Sequence, residues 1–140
     1  WELRGVPFRL EIGPRDVAAE QGMLVRRLDR AKEPLPLAAL ATELPQRLKT
    51  YQADVLERAR TFQAENTHRV DTLDEMTEVL DGPGGFLMAP WCGSPECERA
   101  VAAENGATIR VIPFDSPDEA GRCVFDGQPS DRRALFARAY

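Results

Sequence analysis

The longest regular pattern in the sequence is helical, and it constrains the fold more than any other feature. From Leu37 to about Asn66, apolar side chains recur every three or four residues, which is typical of one face of an amphipathic helix. A helix of about 30 residues is about 45 Å long. Pro45 lies inside the pattern, and we expect a kink or a break there because proline lacks the amide hydrogen. The rest of the 140-residue chain therefore forms two pieces, one on each side of this helix.

The piece before the long helix contains strand patterns. Between Val6 and Ile12 every second side chain is apolar, while Arg9 and Glu11 fall on the opposite face, so the alternation predicts a strand. An apolar run over residues 23–28 predicts a second strand. Glycine and proline between the two runs predict a turn that opens a short helical segment. The two strands are therefore expected to form a hairpin-like or crossover pair.

The piece after the long helix alternates helices and strands. Ser94 is a good N-cap, Pro95 suits the first helical position and Gly106 is a good C-cap, so these residues delimit one helix. The predicted elements are, in order, a helix over 73–80, a strand over 86–89, a helix over 95–105, and strands over 108–114 and 134–137. Because both pieces mix helices and strands, the sequence predicts an α/β fold class.

Composition narrows the classes of protein to which this chain can belong. With 43% hydrophobic residues, the chain is too apolar to stay disordered. No apolar run reaches the length of about 18 residues that a membrane span needs, and the charged N-terminal region does not look like a secretory signal. An odd number of cysteines does not form a complete disulfide framework. We therefore expect a cytoplasmic protein without a membrane partner.

The charge is unevenly distributed along the chain. Residues 1–70 carry 12 basic and 10 acidic side chains, whereas residues 71–140 carry 6 basic and 13 acidic ones, within a net charge of −5. A polyanion such as RNA would prefer the first half. The alternative interpretation is an ordinary solvated surface. Because the sequence has no polybasic block, we expect neither sequence-independent coating of nucleic acid nor a DNA partner.

Three cysteines and one aspartate have the spacing of a metal site. Cys92 and Cys97 are followed after a 26-residue interval by Cys123, and Asp126 lies in the tight turn that comes next. Structural zinc sites take four ligands, commonly thiolates on short turns, and a carboxylate is a harder, weaker ligand. The alternative is a decayed site in which Asp126 only caps the turn and the thiols are small buried groups. We disfavour a thiol redox site, because the cysteines lack the x2 spacing, and a role for the single, distant His68.

Polar residues in the first strand region could read a nucleic-acid base. Glu2, Arg9 and Asp16 recur at intervals of seven residues and flank apolar strand positions. A carboxylate can accept hydrogen bonds from guanine N1 and N2, and arginine can donate two to guanine O6 and N7. Splayed single-stranded bases expose those edges. The alternative is a set of ordinary surface ion pairs.

Four segments of the sequence carry a resemblance to a known family. They are WELRGVPFRLEIGPRD (1–16), APWCGSPEC (89–97), GATIRVIPFD (106–115) and FARAY (136–140). Together they resemble the C-terminal part of prolyl-tRNA synthetases, class II aminoacyl-tRNA synthetases, of the archaeal/eukaryotic-like type. The resemblance covers essentially the whole chain. It implies that residues 1–66 are the later portion of an α/β anticodon-binding domain with a mixed sheet. It also implies that residues 67–140 are a small α/β C-terminal domain with a zinc-knuckle-like site.

The resemblance implies roles for individual residues. Glu2, Arg9 and Asp16 match positions that read the two guanines of the proline anticodon, and Lys32 matches a further contact to that loop. Tyr140 matches a terminal tyrosine whose carboxylate reaches toward the catalytic domain.

Family members hold zinc with four cysteines, and this sequence departs from that pattern at one position. Cys92, Cys97 and Cys123 match the first three ligands, whereas Asp126 stands at the fourth. The departure leaves open whether the chain binds zinc or whether packing alone holds the domain.

The resemblance implies a homodimeric, cytoplasmic parent that attaches proline to tRNA(Pro) with ATP and Mg²⁺. The three class II catalytic motifs are absent from this sequence, which starts at Trp1, so we expect a fragment that binds and positions tRNA without catalysing. Its C-terminal tail would brace the catalytic domain. One alternative is a purely structural module that stabilises the parent or its dimer. Another is a free-standing synthetase paralogue.

Overall fold

The computed structural model describes residues 1–139 of the protein. It divides into two compact units, unit 1 (Trp1–Thr61) and unit 2 (Phe62–Tyr140). The elements of the described residues are, in order, β1 (Phe8–Glu11), α1 (Pro14–Ala18), β2 (Gln21–Arg26), β3 (Lys32–Pro36), α2 (Leu40–Glu65), β4 (Thr67–Arg69), α3 (Leu73–Asp81), β5 (Phe86–Pro90), α4 (Pro95–Asn105), β6 (Ala107–Val111), β7 (Gly121–Arg122), β8 (Pro129–Ser130) and β9 (Arg133–Arg138). The expected α/β fold class is confirmed.

Unit 1 contains a three-stranded antiparallel sheet in the order β1-β2-β3. Leu24 and Leu35 are buried on one face of this sheet, where they are 2% exposed. On the same face, the ring of Phe8 lies 5.6 Å from the ring of Tyr51 in α2. Because side chains alternate along a strand, Arg9 lies on the opposite face. The apolar face therefore contacts the helix, as the alternation in β1 predicts.

The strand β3 was not predicted from the sequence, because Pro34 and Pro36 are unfavourable strand residues. β3 is an edge strand, which is where proline is tolerated. The hydrogen bonds Arg26 N–H to Ala31 O and Leu37 N–H to Glu20 O flank the ladder. Their register directs the backbone groups of Glu33 and Leu35 toward β2, so the proline nitrogens point away from it.

Of the kink or break expected at Pro45, the break is wrong. A 3₁₀ turn over Leu37–Ala39 leads into α2, and α2 then continues from Leu40 to Glu65 as one helix. Proline removes one amide donor from the helix, and Pro45 does so near the N-terminal end, where few turns precede it. The following turns keep their hydrogen bonds, so the helix is maintained.

Unit 2 contains a four-stranded mixed sheet in the order β4-β5-β9-β6. β4 and β5 are parallel, and the other neighbours are antiparallel. Leu87 in β5 lies opposite Phe136 in β9, and both side chains are fully buried. The core of buried residues around them comprises Val70, Met76, Leu80, Leu87, Ala89, Val101, Ala107, Val124, Ala134 and Phe136.

The ends of α4 agree with the sequence prediction. The Ser94 hydroxyl accepts the backbone N–H of Glu96 at 3.1 Å and that of Cys97 at 3.5 Å, so it caps the helix. Gly106 ends the helix with φ +76°, a left-handed conformation that suits glycine.

Two details of the sheet in unit 2 differ from the sequence prediction. β4 was not predicted, because its three residues are too few to show a period. The strand predicted over residues 108–114 ends at Val111, after a register shift between Ile109 and Val111. Pro113 then follows, and it cannot donate to a sheet ladder.

Between residues 1 and 139, no helix is both long enough and apolar enough to cross a membrane.

Candidate functional site

The four residues of the expected metal site come together in unit 2, and we call them the cysteine–aspartate cluster (Cys92, Cys97, Cys123 and Asp126). Cys92 follows β5, and Cys97 lies in the first turn of α4. Cys123 and Asp126 lie in the turn that joins β7 to β8. Two separate turns therefore each contribute a pair of potential ligands, which is the arrangement that the sequence spacing indicates.

The ligand atoms of the cluster are close together. All four lie within 4.8 Å of one another. The sulfur atoms of Cys92 and Cys97 are 3.5 Å apart, and Asp126 Oδ2 lies 3.9 Å from the first and 3.0 Å from the second. Cys97 and Cys123 are buried, whereas Asp126 is exposed. The cluster therefore presents a carboxylate on its solvent side and thiols on its inner side.

The turn between β7 and β8 is fixed by backbone hydrogen bonds. The Cys123 N–H donates to the carbonyl oxygen of Gln128 at 2.8 Å, and the Gln128 N–H donates to Asp126 Oδ1 at 3.0 Å. Gly127 has φ +68°, which favours glycine at this position. One oxygen of Asp126 thus stabilises the turn, while Oδ2 faces the sulfur atoms.

The thiol and the carboxylate of the cluster shift each other's pKa. Burial raises the pKa of the Cys97 thiol, and its hydrogen bond to Asp126 raises it further. The same hydrogen bond, followed by the Gln128 N–H, lowers the pKa of Asp126. A bound cation would replace the thiol proton, because metal ligation requires the thiolate.

The donor set and its spacing fit a tetrahedral zinc ion. Two thiolates on one zinc lie about 3.8 Å apart, because each Zn–S bond is about 2.3 Å long. The separation of 3.5 Å between Cys92 and Cys97 is close to this value. Three sulfur atoms and one carboxylate oxygen also give the four ligands that structural zinc sites use. The cluster can therefore hold a metal ion, and its sulfur-rich chemistry favours zinc over magnesium or calcium.

A second group of polar side chains lies on the outer face of the sheet in unit 1. We call it the charged strand face (Glu2, Arg9, Glu11 and Lys32). Arg9 Nη1 donates to Glu2 at 3.1 Å, and Arg9 Nε and Nη2 donate to Glu11 Oε1 at 3.0 and 2.8 Å. Lys32 Nζ donates to Glu11 Oε2 at 3.3 Å. The structure thus brings three of the four expected anticodon-binding residues into one hydrogen-bonded group.

Asp16 has a different position from the other expected anticodon-binding residues. It lies in the first turn of α1, where its Oδ2 accepts the backbone N–H of Gly13 at 2.8 Å. This contact satisfies an amide at the helix N-terminus. Tyr140, for which we expected a role toward the catalytic domain, lies outside the described residues.

Glu11 was not among the residues that the sequence singled out. It joins Arg9 to Lys32, and the two cations lower its pKa, Arg9 having the larger effect. The alternation of β1 places Glu11 on the same face as Arg9, which was visible in the sequence. The contact between Glu11 and Lys32 could not be predicted, because the strand β3 that carries Lys32 was not predicted.

A buried arginine supports the turn that carries half of the cluster. Arg133 donates to the carbonyl oxygens of Val70 at 2.9 Å and Met88 at 3.1 Å. It also donates to Glu119 at 3.0 Å and to the carboxylate of Asp71. Since Glu119 lies two residues before the start of β7, Arg133 links the segment that leads to the β7–β8 turn with the sheet.

Comparisons with known proteins point to one family. A family model described as the C-terminal region of prolyl-tRNA synthetase matches residues 73–140. A proline–tRNA ligase of Mycobacterium leprae is 45% identical over 143 residues, which cover 100% of this chain and 29% of that protein. Proline–tRNA ligase 2 of Clostridioides difficile is 38% identical over 140 residues, with coverage of 100% and 29%.

The fold agrees with this similarity. The crystal structure of a prolyl-tRNA synthetase from Cryptosporidium parvum, complexed with L-proline and AMP, matches with a TM-score of 0.86 and 30% sequence identity. The match covers 100% of this chain and 30% of that one. The chain thus spans less than a third of the length of these relatives. The sequence, the fold and the matched region agree, and the chain belongs to the prolyl-tRNA synthetase family, of which it represents the C-terminal part.

Proposed function

We propose that this chain is the tRNA-recognition and support region of a proline–tRNA ligase. Residues 1–66 form the anticodon-binding part in this proposal, and residues 67–140 form the metal-binding C-terminal domain. The observation that carries the proposal is the charged strand face, which lies on one side of a sheet. The chain that contains it is similar over its full length to proline–tRNA ligases. ATP-dependent ligation of proline, with Mg²⁺, is assigned to a catalytic domain outside these residues.

The chemistry of the charged strand face suits a guanine base. Arg9 offers N–H donors for O6 and N7, and Glu2 offers acceptors for N1–H and N2–H. Both side chains are partly exposed, at 41% and 45%, so a splayed base can reach them. Lys32 is a further contact to the anticodon loop in this proposal, through its ammonium group. Asp16 is proposed as a reader through Oδ1, because Oδ2 already accepts the Gly13 N–H.

Binding of short RNA hairpins to the 140-residue chain tests this proposal. One hairpin carries the proline anticodon loop, and two others replace each of its guanines in turn by adenine. We expect Arg9→Ala to reduce the preference for guanine over adenine at one position by about 1–3 kcal/mol, because a bidentate contact is lost. Dissociation constants at fixed salt measure this preference.

Arg47→Ala is the matched control for Arg9→Ala. Arg47 also pairs with two carboxylates, those of Glu33 and Glu43, but it lies in α2. We expect this variant to keep the guanine preference. Equal binding of the guanine and adenine hairpins by the unmodified chain would contradict the proposal. It would favour the alternative of a purely structural module.

We further propose that the cysteine–aspartate cluster binds one zinc ion as a Cys3Asp site. Three thiolates and one carboxylate complete the four ligands of a structural site, and the bound ion would connect the turn after β5 with the turn after β7. In this role, zinc stabilises unit 2 and takes no part in catalysis.

The zinc-to-protein ratio, measured by elemental analysis, tests the site. We expect a ratio of about one for the unmodified chain and a loss of zinc in Cys97→Ser, which removes a buried ligand. Asp131→Cys is the control, because it adds a thiol to an exposed turn position outside the cluster. A ratio near zero that Asp126→Cys restores would contradict the Cys3Asp site. It would indicate that an aspartate in place of the fourth cysteine ligand, at position 126, had abolished metal binding.

The remaining parts of the proposal concern the longer protein. We propose that its subunits form a homodimer, that it acts in the cytoplasm on tRNA(Pro), and that the Tyr140 carboxylate contacts its catalytic domain. Aminoacylation of tRNA(Pro) by the longer protein, with and without Tyr140, tests the last point. We expect a lower rate when Tyr140 is removed, whereas an unchanged rate would exclude the contact from the mechanism.

A further inference from the structure

We propose that Glu11 is a positioning residue for anticodon recognition: its carboxylate holds Arg9 and Lys32 so that each keeps free donors for the RNA. This inference rests on the proposed function and extends it to a residue without an assigned role. Glu11 does not need to touch the base itself. It acts through the two cations that it joins.

The register of the sheet places the three residues in a compact arrangement. Arg9 lies opposite Val25, and Val25 lies opposite Lys32, so one row of residues runs across β1, β2 and β3. Glu11 is the next residue on the same face of β1. Its Oε1 accepts from Arg9, and its Oε2 accepts from Lys32 at 3.3 Å. One carboxylate therefore spans the row and uses one oxygen for each cation.

The hydrogen bonds of Arg9 leave a suitable part of its guanidinium unoccupied. Arginine has five N–H donors in a rigid plane. Glu11 takes one from Nε and one from Nη2, and Glu2 takes one from Nη1. Within residues 1–139, one N–H on Nη1 and one on Nη2 are left over. A bidentate contact to guanine O6 and N7 uses two donors, which is the number that remains on the terminal nitrogens.

Glu11 also reduces the net charge of the face. Arg9 and Lys32 lie two strands apart, about 10 Å, and they would repel each other without an acid between them. Glu2 and Glu11 place two carboxylates beside these two cations, and Arg30 lies 3.7 Å from the second oxygen of Glu2. The face therefore favours a base edge with matching hydrogen bonds over an RNA backbone attracted by charge alone.

Glu11→Gln tests this inference because it keeps the shape of the side chain and removes one acceptor and the charge. The hairpins described above are bound to the full 140-residue chain. We expect the ratio of adenine to guanine dissociation constants to fall about tenfold, as when a bidentate contact is misaligned. The adenine hairpin should bind at least as tightly as before, because the loss of a negative charge does not weaken attraction to RNA. Structural damage would instead weaken the binding of every hairpin.

Two comparisons make the test specific. In an Arg9→Ala background, Glu11→Gln should change the ratio by less than about twofold, because the residue through which Glu11 acts is absent. Glu43→Gln is the control. Glu43 has an exposed fraction of 45%, close to the 41% of Glu11, and pairs with Arg47 in α2. It should leave the ratio unchanged.

The outcomes separate this inference from the proposed function. If the unmodified chain prefers guanine and Glu11→Gln retains that preference, the positioning role is overturned and the proposed function stands. If Glu11→Gln weakens the binding of all hairpins equally, the role is overturned as well. If the unmodified chain has no preference for guanine, the proposed function and the inference both fall.

Discussion

The two units bury very different amounts of apolar side chain. In the described part of unit 2, thirteen apolar residues are buried, whereas unit 1 buries four. Both units leave large apolar side chains exposed, such as Ile12 and Leu56 in unit 1 and Phe62 and Phe114 in unit 2, so the contrast lies in the buried residues. Burial of apolar surface is the main source of stability. Unit 2 therefore gains more free energy from apolar burial than unit 1 does.

The candidate sites differ in the same way. Three residues of the charged strand face lie on regular strands, so the geometry of the sheet aligns their side chains, and Glu2 lies in the turn before β1. The cysteine–aspartate cluster is built on the loop after β5, the first turn of α4 and the β7–β8 turn, which need a surrounding structure to hold them together. The large core of unit 2 supplies that structure. A site on turns thus requires more packing than a site on a strand.

Replacement of the central core residue of unit 2 should have the largest effect on the difference in apolar burial between the two units. Phe136 is fully buried in β9, so Phe136→Ala should destabilise unit 2 by about 3–5 kcal/mol through the lost burial and the cavity. Denaturant unfolding followed by hydrogen exchange in the strands of unit 2 measures the loss. Phe125→Ala is the control, because Phe125 is 42% exposed. A loss below about 1 kcal/mol for Phe136→Ala would mean that the core of unit 2 is loosely packed.

Replacement of the buried arginine should have the next largest effect. The side chain of Arg133 is 8% exposed, and Arg133→Met would remove its hydrogen bonds to two carbonyl oxygens and two carboxylates. We expect unit 2 to lose about 3 kcal/mol. Arg26 in unit 1 pairs with Asp29 and Asp54 but is 29% exposed, so Arg26→Met should cost about 1 kcal/mol or less. Equal losses of stability in Arg133→Met and Arg26→Met, measured by denaturant unfolding, would contradict this expected difference between the units.

Acidification should have the smallest of these effects on stability. It should act on each unit through one carboxylate. Arg133 and then Arg69 lower the pKa of Glu119 to about 2, while Arg26 and the Ala31 N–H lower that of Asp29 to about 2. A lowered folded pKa stabilises the protein above the ordinary carboxyl pKa of about 4, and that stabilisation disappears as the pH falls toward 2.

Neutral variants check this pH dependence. Glu119→Gln and Asp29→Asn should each be less stable than the unmodified chain at pH 7, and the difference should shrink as the pH is lowered from 5 to 2. Unfolding midpoints measured across this range follow the effect. A difference that stays constant with pH would show that ionisation of these carboxylates does not contribute to stability.

Much of the fold was predictable because its signals are local. The alternation around Arg9 predicted β1, and the cap at Ser94 and the glycine at position 106 predicted both ends of α4. β3 was missed because its stability comes from pairing with β2, which outweighs the low strand preference of Pro34 and Pro36. The effect of Pro45 was also overestimated, because the loss of one hydrogen bond does not interrupt a helix of 26 residues.

The candidate sites were predictable to the extent that each residue type carries a chemical signal. Cysteine is rare enough that its spacing indicated a possible metal site, and the structure brings the four residues of the cysteine–aspartate cluster together. Glu11 and Arg133 carry no such signal, because charged residues are common and their partners are distant in sequence. Arg132 and Arg133 are adjacent in the chain, and only the fold determines that Arg133 is the buried one.

The two prolines of β3 have a consequence for self-association. An edge strand with free amide groups can pair with a strand of another molecule and start aggregation. Since the nitrogens of Pro34 and Pro36 point away from β2, the outer edge of β3 lacks two of the donors that such an intermolecular ladder needs. At β6, one of the two edge strands of the four-stranded sheet in unit 2, a register shift near Ile109 and the proline at position 113 limit the length of the edge. Unit 1, with its small core, is thus protected against sheet-to-sheet polymerisation on this side.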